Sequence, residues 1–245
     1  MLSVSASAQT ETPDNGPYTE YYDGGVKIKQ DVNYKDGKLN GPFREYYLSG
    51  KLSSVGNYKN GQLHGAYKSY YESGSVHLDQ NFVNGDLDAI SREYYENEQL
   101  KNEERYRAGE LDGICKYYYE HGDPQYIFQY RMGVLNGSSK EFGEGGVLKN
   151  EIDYQDDQMS GIAKEYDEDG RLQAVSTYVN GEKTGESKTF YDNGQVEWVI
   201  NFKNDQMEGS AKKYSPQGRL ISECQYSDGV EKSCKQYANG KPASI

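Results

Sequence analysis

One spacing constrains this chain more than any other feature. From Tyr34 the sequence returns to an aromatic residue every 24 positions: Tyr34, Tyr58, Phe82, Tyr106, Tyr130, Tyr154, Tyr178, Phe202 and Tyr226. At 13% aromatic content, agreement at all these positions by chance is on the order of one in a hundred million. A second ring series keeps the same step: Tyr46, Tyr70, Tyr94, Tyr118, Phe142, Tyr166, Phe190 and Tyr214. An apolar series runs Leu52, Val76, Leu100, Leu148, Leu172, Val196 and Leu220, broken only at Pro124. Glycines punctuate each unit at Gly41, Gly65, Gly113, Gly137, Gly161, Gly185 and Gly209, and again at Gly50, Gly74, Gly122, Gly146, Gly170, Gly194 and Gly218.

Between the glycines lie short segments of alternating character, the mark of a strand. Pairs such as Asn60-Gly61 are strong hairpin signals, because both residues tolerate positive φ. Each unit therefore reads as two strands and two turns. The fold class is all-β, an elongated single-layer antiparallel meander of about nine 24-residue β-hairpin repeats. Alternation places Leu52 and Tyr58 on one face, with Ser53, Lys101, Lys149 and Glu197 on the other. Hydrophobic residues are only 34% of the chain, but Tyr supplies 25 residues, so the apolar contacts must come from rings with polar tips. The invariant rings are expected to be buried.

The array is expected to span residues 18–240, between a leader (1–17) and a short tail (241–245). Ala6-Ser7-Ala8 has the small-residue pattern that signal peptidase cuts, and the leader reads as a signal-peptide remnant. This points to a periplasmic or extracellular chain, and to a cytoplasmic one if the leader is not such a remnant. A net charge of −12 argues against nucleic-acid binding, and no stretch approaches the ~18 apolar residues of a membrane span.

"YKNGQLHG" (Tyr58–Gly65), "KDGKLNGPFREYYLSGKL" (Lys35–Leu52) and "VNGEKTGESKTFYDNGQV" (Val179–Val196) resemble the MORN repeat, and more closely its bacterial, antitoxin-like variant. The resemblance covers about Tyr21 to Gly240 and implies an array of β-hairpins that binds something.

Chemistry is sparse. His64, His77 and His121 fall in separate places, so no pair suits a metal or an assisted nucleophile. No Walker loop, nucleophile elbow or paired-cysteine metal motif occurs. An enzyme is not expected, nor a metal or cofactor. A cation stands two residues before each invariant ring: Arg44, Lys68, Arg92, Lys116, Lys140, Lys164, Lys188 and Lys212. A residue present in every repeat is most simply explained by packing, its stem on a ring and its charge on an acid.

Positions that vary are free of that duty. The residue after the invariant ring is Tyr47, Tyr71, Tyr95 and Tyr119 in the first half, then Gly143, Asp167, Tyr191 and Ser215. With Tyr117, two residues from Tyr119, the first-half tyrosines Tyr47, Tyr71, Tyr95 and Tyr119 form the candidate partner-binding strip, on the face opposite the invariant series and not in the second half. The expected role is non-catalytic binding or scaffolding at a bacterial envelope, with a protein partner. A glycan or envelope polymer is the alternative ligand, and a cytosolic antitoxin-like inhibitor the third class. Cys224 and Cys234 flank Ser227–Gly229 symmetrically and are expected to form a cross-strand disulfide. Cys115 occupies a slot held elsewhere by Ser or Ala and is expected to be structural.

Overall fold

The computed structural model describes residues 12–238 and the backbone of 241–242. The chain divides into two compact units, Met1–Glu110 and Leu111–Ile245. Each is an all-β antiparallel meander. The repeat centred on Tyr58 shows the plan. A long strand, Leu52–Lys59, turns at Asn60-Gly61 into a two-residue strand, Gln62–Leu63, and continues as Gly65–Tyr70. A second turn leads to Val76–Val83. In the second unit Leu148–Gln155, Gln158–Tyr166 and Leu172–Val179 repeat this order.

The turns follow from φ. Asn60 and Gly61 stand at 52° and 85°, the two positive values that let a two-residue turn match strand twist. Asp156-Asp157 holds the same conformation at 50° and 64°, where Asp tolerates it. Ala108 and Met132, both at 51°, occupy this position without such tolerance. At the other edge the Tyr71 and Ser75 backbones close the turn, the Tyr71 N–H donating to the Ser75 carbonyl at 2.9 Å.

Two irregularities recur. At Gly65 (φ 86°) pairing slips from Tyr58↔Leu63 to Val55↔Lys68, so the strand bulges where only glycine is at ease. A further bulge skips one residue opposite the invariant ring: Ser69 pairs with Leu78 but Tyr70 with Val76, leaving His77 unpaired. Ser53 and Lys101 are skipped in the same way.

That second bulge corrects the simple alternation expected from sequence. The extra residue rotates the strand by one side-chain step, so Leu52 and Tyr58 lie on opposite faces. One face, here the ring face, carries Tyr58, Gly56, Ser54, Phe43 and Glu45 in register. The other, the cation face, carries Arg44, Val55 and Tyr46. The bulged Lys101 joins the ring face, where its Nζ bonds Glu93 at 2.7 Å.

The core also differs from expectation. The invariant rings, Tyr46, Tyr118 and Phe142 among them, are half-buried, because a single layer leaves one side of each ring open. The buried positions in each unit are instead mostly small residues on the ring face: Ser54 and Ser91 in the first, and Cys115, Ser139, Ala163, Ser187 and Ala211 in the second. Cys115 is 0% exposed, in the structural role its slot implied. Large and small residues alternate across the strand pair: Cys115 opposes Phe128, Ser139 opposes Ile152, and Phe43 opposes Gly56. A Cβ on Gly56 would lie 2.8 Å from Phe43 Cε1.

The array already begins at Gly16, whose strand Gly16–Tyr21 pairs with Ile28–Lys35. At the other end Lys241–Pro242, expected to be tail, pairs with Tyr237 and Ala238. Ala6-Ser7-Ala8 lies outside the described residues.

Candidate functional site

The tyrosine strip begins with the bond it makes between repeats. Tyr47 Oη donates to the Tyr70 carbonyl at 2.5 Å, and Tyr71 Oη to the Tyr94 carbonyl at 2.7 Å. Tyr119 Oη donates to the Phe142 carbonyl at 3.0 Å, and Tyr191 Oη to the Tyr214 carbonyl at 2.8 Å. Each phenol reaches 23 residues ahead. The strip is therefore structural at its hydroxyls, which the sequence reading did not foresee, while its rings remain half-buried. Where the tyrosine is missing, the slot is filled otherwise. A Cβ on Gly143 would meet Lys149 Cε at 2.8 Å, and Asp167 accepts the Arg171 N–H at 2.8 Å.

The strip also lies on a different background from the expected one. Tyr71 and Tyr95 share the ring face with the Tyr58 series, because the bulge carries that series over. Within the first unit Tyr71 and Tyr95 flank a polar group. Glu93 accepts from Lys101 Nζ at 2.7 Å and Asn102 Nδ2 at 2.8 Å, and His77 Nε2 stands 3.4 Å away. The His77 ring lies 4.5 Å from Tyr71, and Lys101 Nζ stands 5.9 Å from the Tyr95 ring centre. Burial pushes the Glu93 carboxyl up, but the bonds from Lys101 and Asn102 outweigh it and hold the group below the ordinary carboxylate range. Burial, and then the Glu93 charge, push the Tyr71 phenol up. Alternation alone gives no sign of this group, since it depends on His77 and Lys101 being bulge residues.

In the second unit Tyr119 stacks on His121 at 5.5 Å. Tyr117 faces Tyr126 in register and packs edge-on to Phe128, with ring centres 5.9 Å apart. Tyr126 stacks on Phe128 at 5.5 Å, and Phe128 meets Tyr130 at 6.2 Å. The sequence reading named Tyr117 but missed Tyr126 and Phe128, which break their slots' usual residue types.

The cation ladder pairs with acids on its own face: Lys68 with Asp79 at 3.1 Å, Arg92 with Glu103 at 2.8 Å, and Glu151 with both Lys140 (3.2 Å) and Lys164 (2.8 Å). His64 Nδ1 accepts the Asn84 N–H at 3.4 Å on the turn edge, apart from His77. Cys224 and Cys234 face each other in register and are joined in a disulfide. Their sulfurs approach Glu231, but in a disulfide they offer no thiolate to a metal. Among the described residues no helix is long and apolar enough to cross a membrane.

Hairpins of equal length, joined within each unit by turn-to-turn bonds and in several repeats by phenol-to-carbonyl bonds, define a β-hairpin repeat protein. The sequence pattern of the MORN repeat variant matches residues 39–60, 63–84, 87–108, 111–132, 159–180 and 183–204, more than half of the chain, which therefore belongs to that family. No curated protein matches the chain. Among solved structures it is similar to parts of the TcdB2–TccC3–Cdc42 complex (12% identity, TM-score 0.21, covering 83% of this chain and 13% of that one) and of TcdB2–TccC3 (11%, 0.22, 86% and 16%). The chain thus spans only about a seventh of those chains. Likenesses at this level say nothing of what this chain binds.

Proposed function

We propose that this chain is a non-catalytic binding protein of the bacterial envelope or exterior, engaging a protein partner through its ring face. The observation that carries the reading is the group around Glu93: a carboxylate already bonded to Lys101 and Asn102, beside His77, with the half-buried rings of Tyr71 and Tyr95 on either side. Rings with polar tips beside charged groups held in place form a surface that binds with little ordering cost. The bond between Cys224 and Cys234 supports an oxidising compartment. The test is photo-crosslinking in expressing cells, with the reactive residue placed at Ser53 on the ring face or Ile90 on the cation face. A discrete protein adduct from Ser53 alone, competed by excess chain and lost in a His77→Ala, Lys101→Ala variant, is expected. Adducts only from Ile90, or saturable binding of envelope oligosaccharide without any protein adduct, would overturn the reading.

A further inference from the structure

The aromatic group of the second unit encloses more than ring contacts. Tyr126, Phe128 and Tyr154 border a depression of about 100 Å³ on the ring face, with Ile152 on its wall. Its floor is Ser139, 6% exposed, whose Oγ has no hydrogen-bond partner. Register explains why. Ser139 lies opposite Ile152, and the equivalent slot two repeats earlier, Ser91, is bonded by Gln80, whose own slot here is Phe128. The rim carries Glu141, whose Oε2 accepts from Asn150 Nδ2 at 2.7 Å. Asn150 also pairs in register with Glu165, so two carboxylates stand on the same face around it. Lys140 lies between Ser139 and Glu141 in sequence, but its ammonium points to the cation face, 3.2 Å from Glu151.

Rings around a small hollow and a carboxylate on its rim match one ligand chemistry. We infer that this depression takes an organic cation, the Lys or Arg side chain of a protein partner, with the π-faces and Glu141 holding its charge. The inference rests on the protein-partner reading above and adds the residue type that docks. Ring quadrupoles attract cations most strongly where water is displaced, and the net charge of −12 favours a basic partner. A sugar would use the same rings, but its neutral hydroxyls would gain less from Glu141 than a cation does.

Choline and its neutral isostere 3,3-dimethylbutanol separate the alternatives. Each is titrated into the full chain carrying labelled Phe and Tyr rings, with N-acetyl-lysine methylamide and N-acetylglucosamine in parallel. The expected result is a saturable shift of the Phe128 and Tyr126 resonances with choline and the lysine derivative. Affinity should fall at least fivefold for the isostere and for Glu141→Gln, and stay unchanged in Glu186→Gln, a carboxylate elsewhere on the sheet. Equal binding of the isostere, a response to the sugar alone, or no saturable shift would overturn the site. If Glu141→Gln perturbs folding, the choline-to-isostere ratio in the unaltered chain decides by itself. A crosslinked protein partner that Glu141→Gln retains undiminished sinks this inference and leaves the protein-partner reading standing. Glu141-dependent choline binding with no protein adduct does the reverse, keeping the cation site and removing the protein.

Discussion

Tyr71 Oη donates to the backbone carbonyl of Tyr94 at 2.7 Å, joining residues 23 positions apart in the chain. The bond spans one repeat and makes the varying slot part of what holds neighbouring hairpins together. Tyr71→Phe keeps the ring and removes only the donor, so it should cost about 1 kcal/mol in urea denaturation. Tyr71→Ser should cost more, because ring contacts with His77 go too. Equal stability of the Phe variant and the parent would show that the bond adds nothing.

Four described positions hold positive φ without the residue that tolerates it, Met132 in the second unit and three in the first. Ala89 (φ 68°) stands where other repeats have Gly65 or Gly113, and Glu98 (φ 69°) where they have Gly74 or Gly122. Ala89→Gly and Glu98→Gly should each stabilise the first unit by about 1 kcal/mol, as should Ala108→Asn at the two-residue turn. The check is the thermal midpoint; a fall in all three would contradict these backbone angles.

Gly56 is confined by rings rather than by its φ. Gly56→Ala places a Cβ 2.8 Å from Phe43 Cε1 and 3.3 Å from Tyr67 Cδ2, and should cost about 1–3 kcal/mol by overpacking. Adding Phe43→Leu should recover part of the loss. A double variant as unstable as the sum of the two single changes, or more so, would show that Phe43 and Gly56 are not coupled in this way.

The disulfide closes a loop of sequence separation 10 at the last long hairpin. Titration of denatured, unreduced protein should find one free thiol, that of Cys115, and reduction should cost about 3 kcal/mol. Three thiols would exclude the bond.

Glu151 sets an acid dependence. Its bond from Lys164, opposed in part by burial and reinforced by Lys140, holds its carboxyl below the ordinary value of 4.5. The folded state thus binds this proton less readily than the unfolded chain. The stability it contributes is complete above about pH 4.5 and is lost as pH falls through the lower folded value. Glu151→Gln should flatten the stability profile between about pH 5 and 2 and leave its slope near neutrality unchanged, measured by urea midpoints across that range.

The 24-residue period was enough to set the strands, both turns and the hairpin order, because turn chemistry and alternation are local properties of consecutive residues. The cation ladder and the pairing of Cys224 with Cys234 were legible for the same reason, since register follows from a known turn. Which face each slot occupies was not. One bulged residue per repeat, His77 or Lys101 for instance, inverts the alternation beyond it, and nothing in its side chain marks it as the residue to be skipped. The phenol bonds were hidden too, because Tyr71 and Tyr94 are neighbours only after two hairpins have stacked. The depression over Ser139 depends on Tyr126, Phe128 and Tyr154 meeting from different strands. Sequence alone determined the repeat and its turns, through local backbone preference. Only the tertiary structure decided which side chains meet across strands, because bulges and long-range register set that jointly.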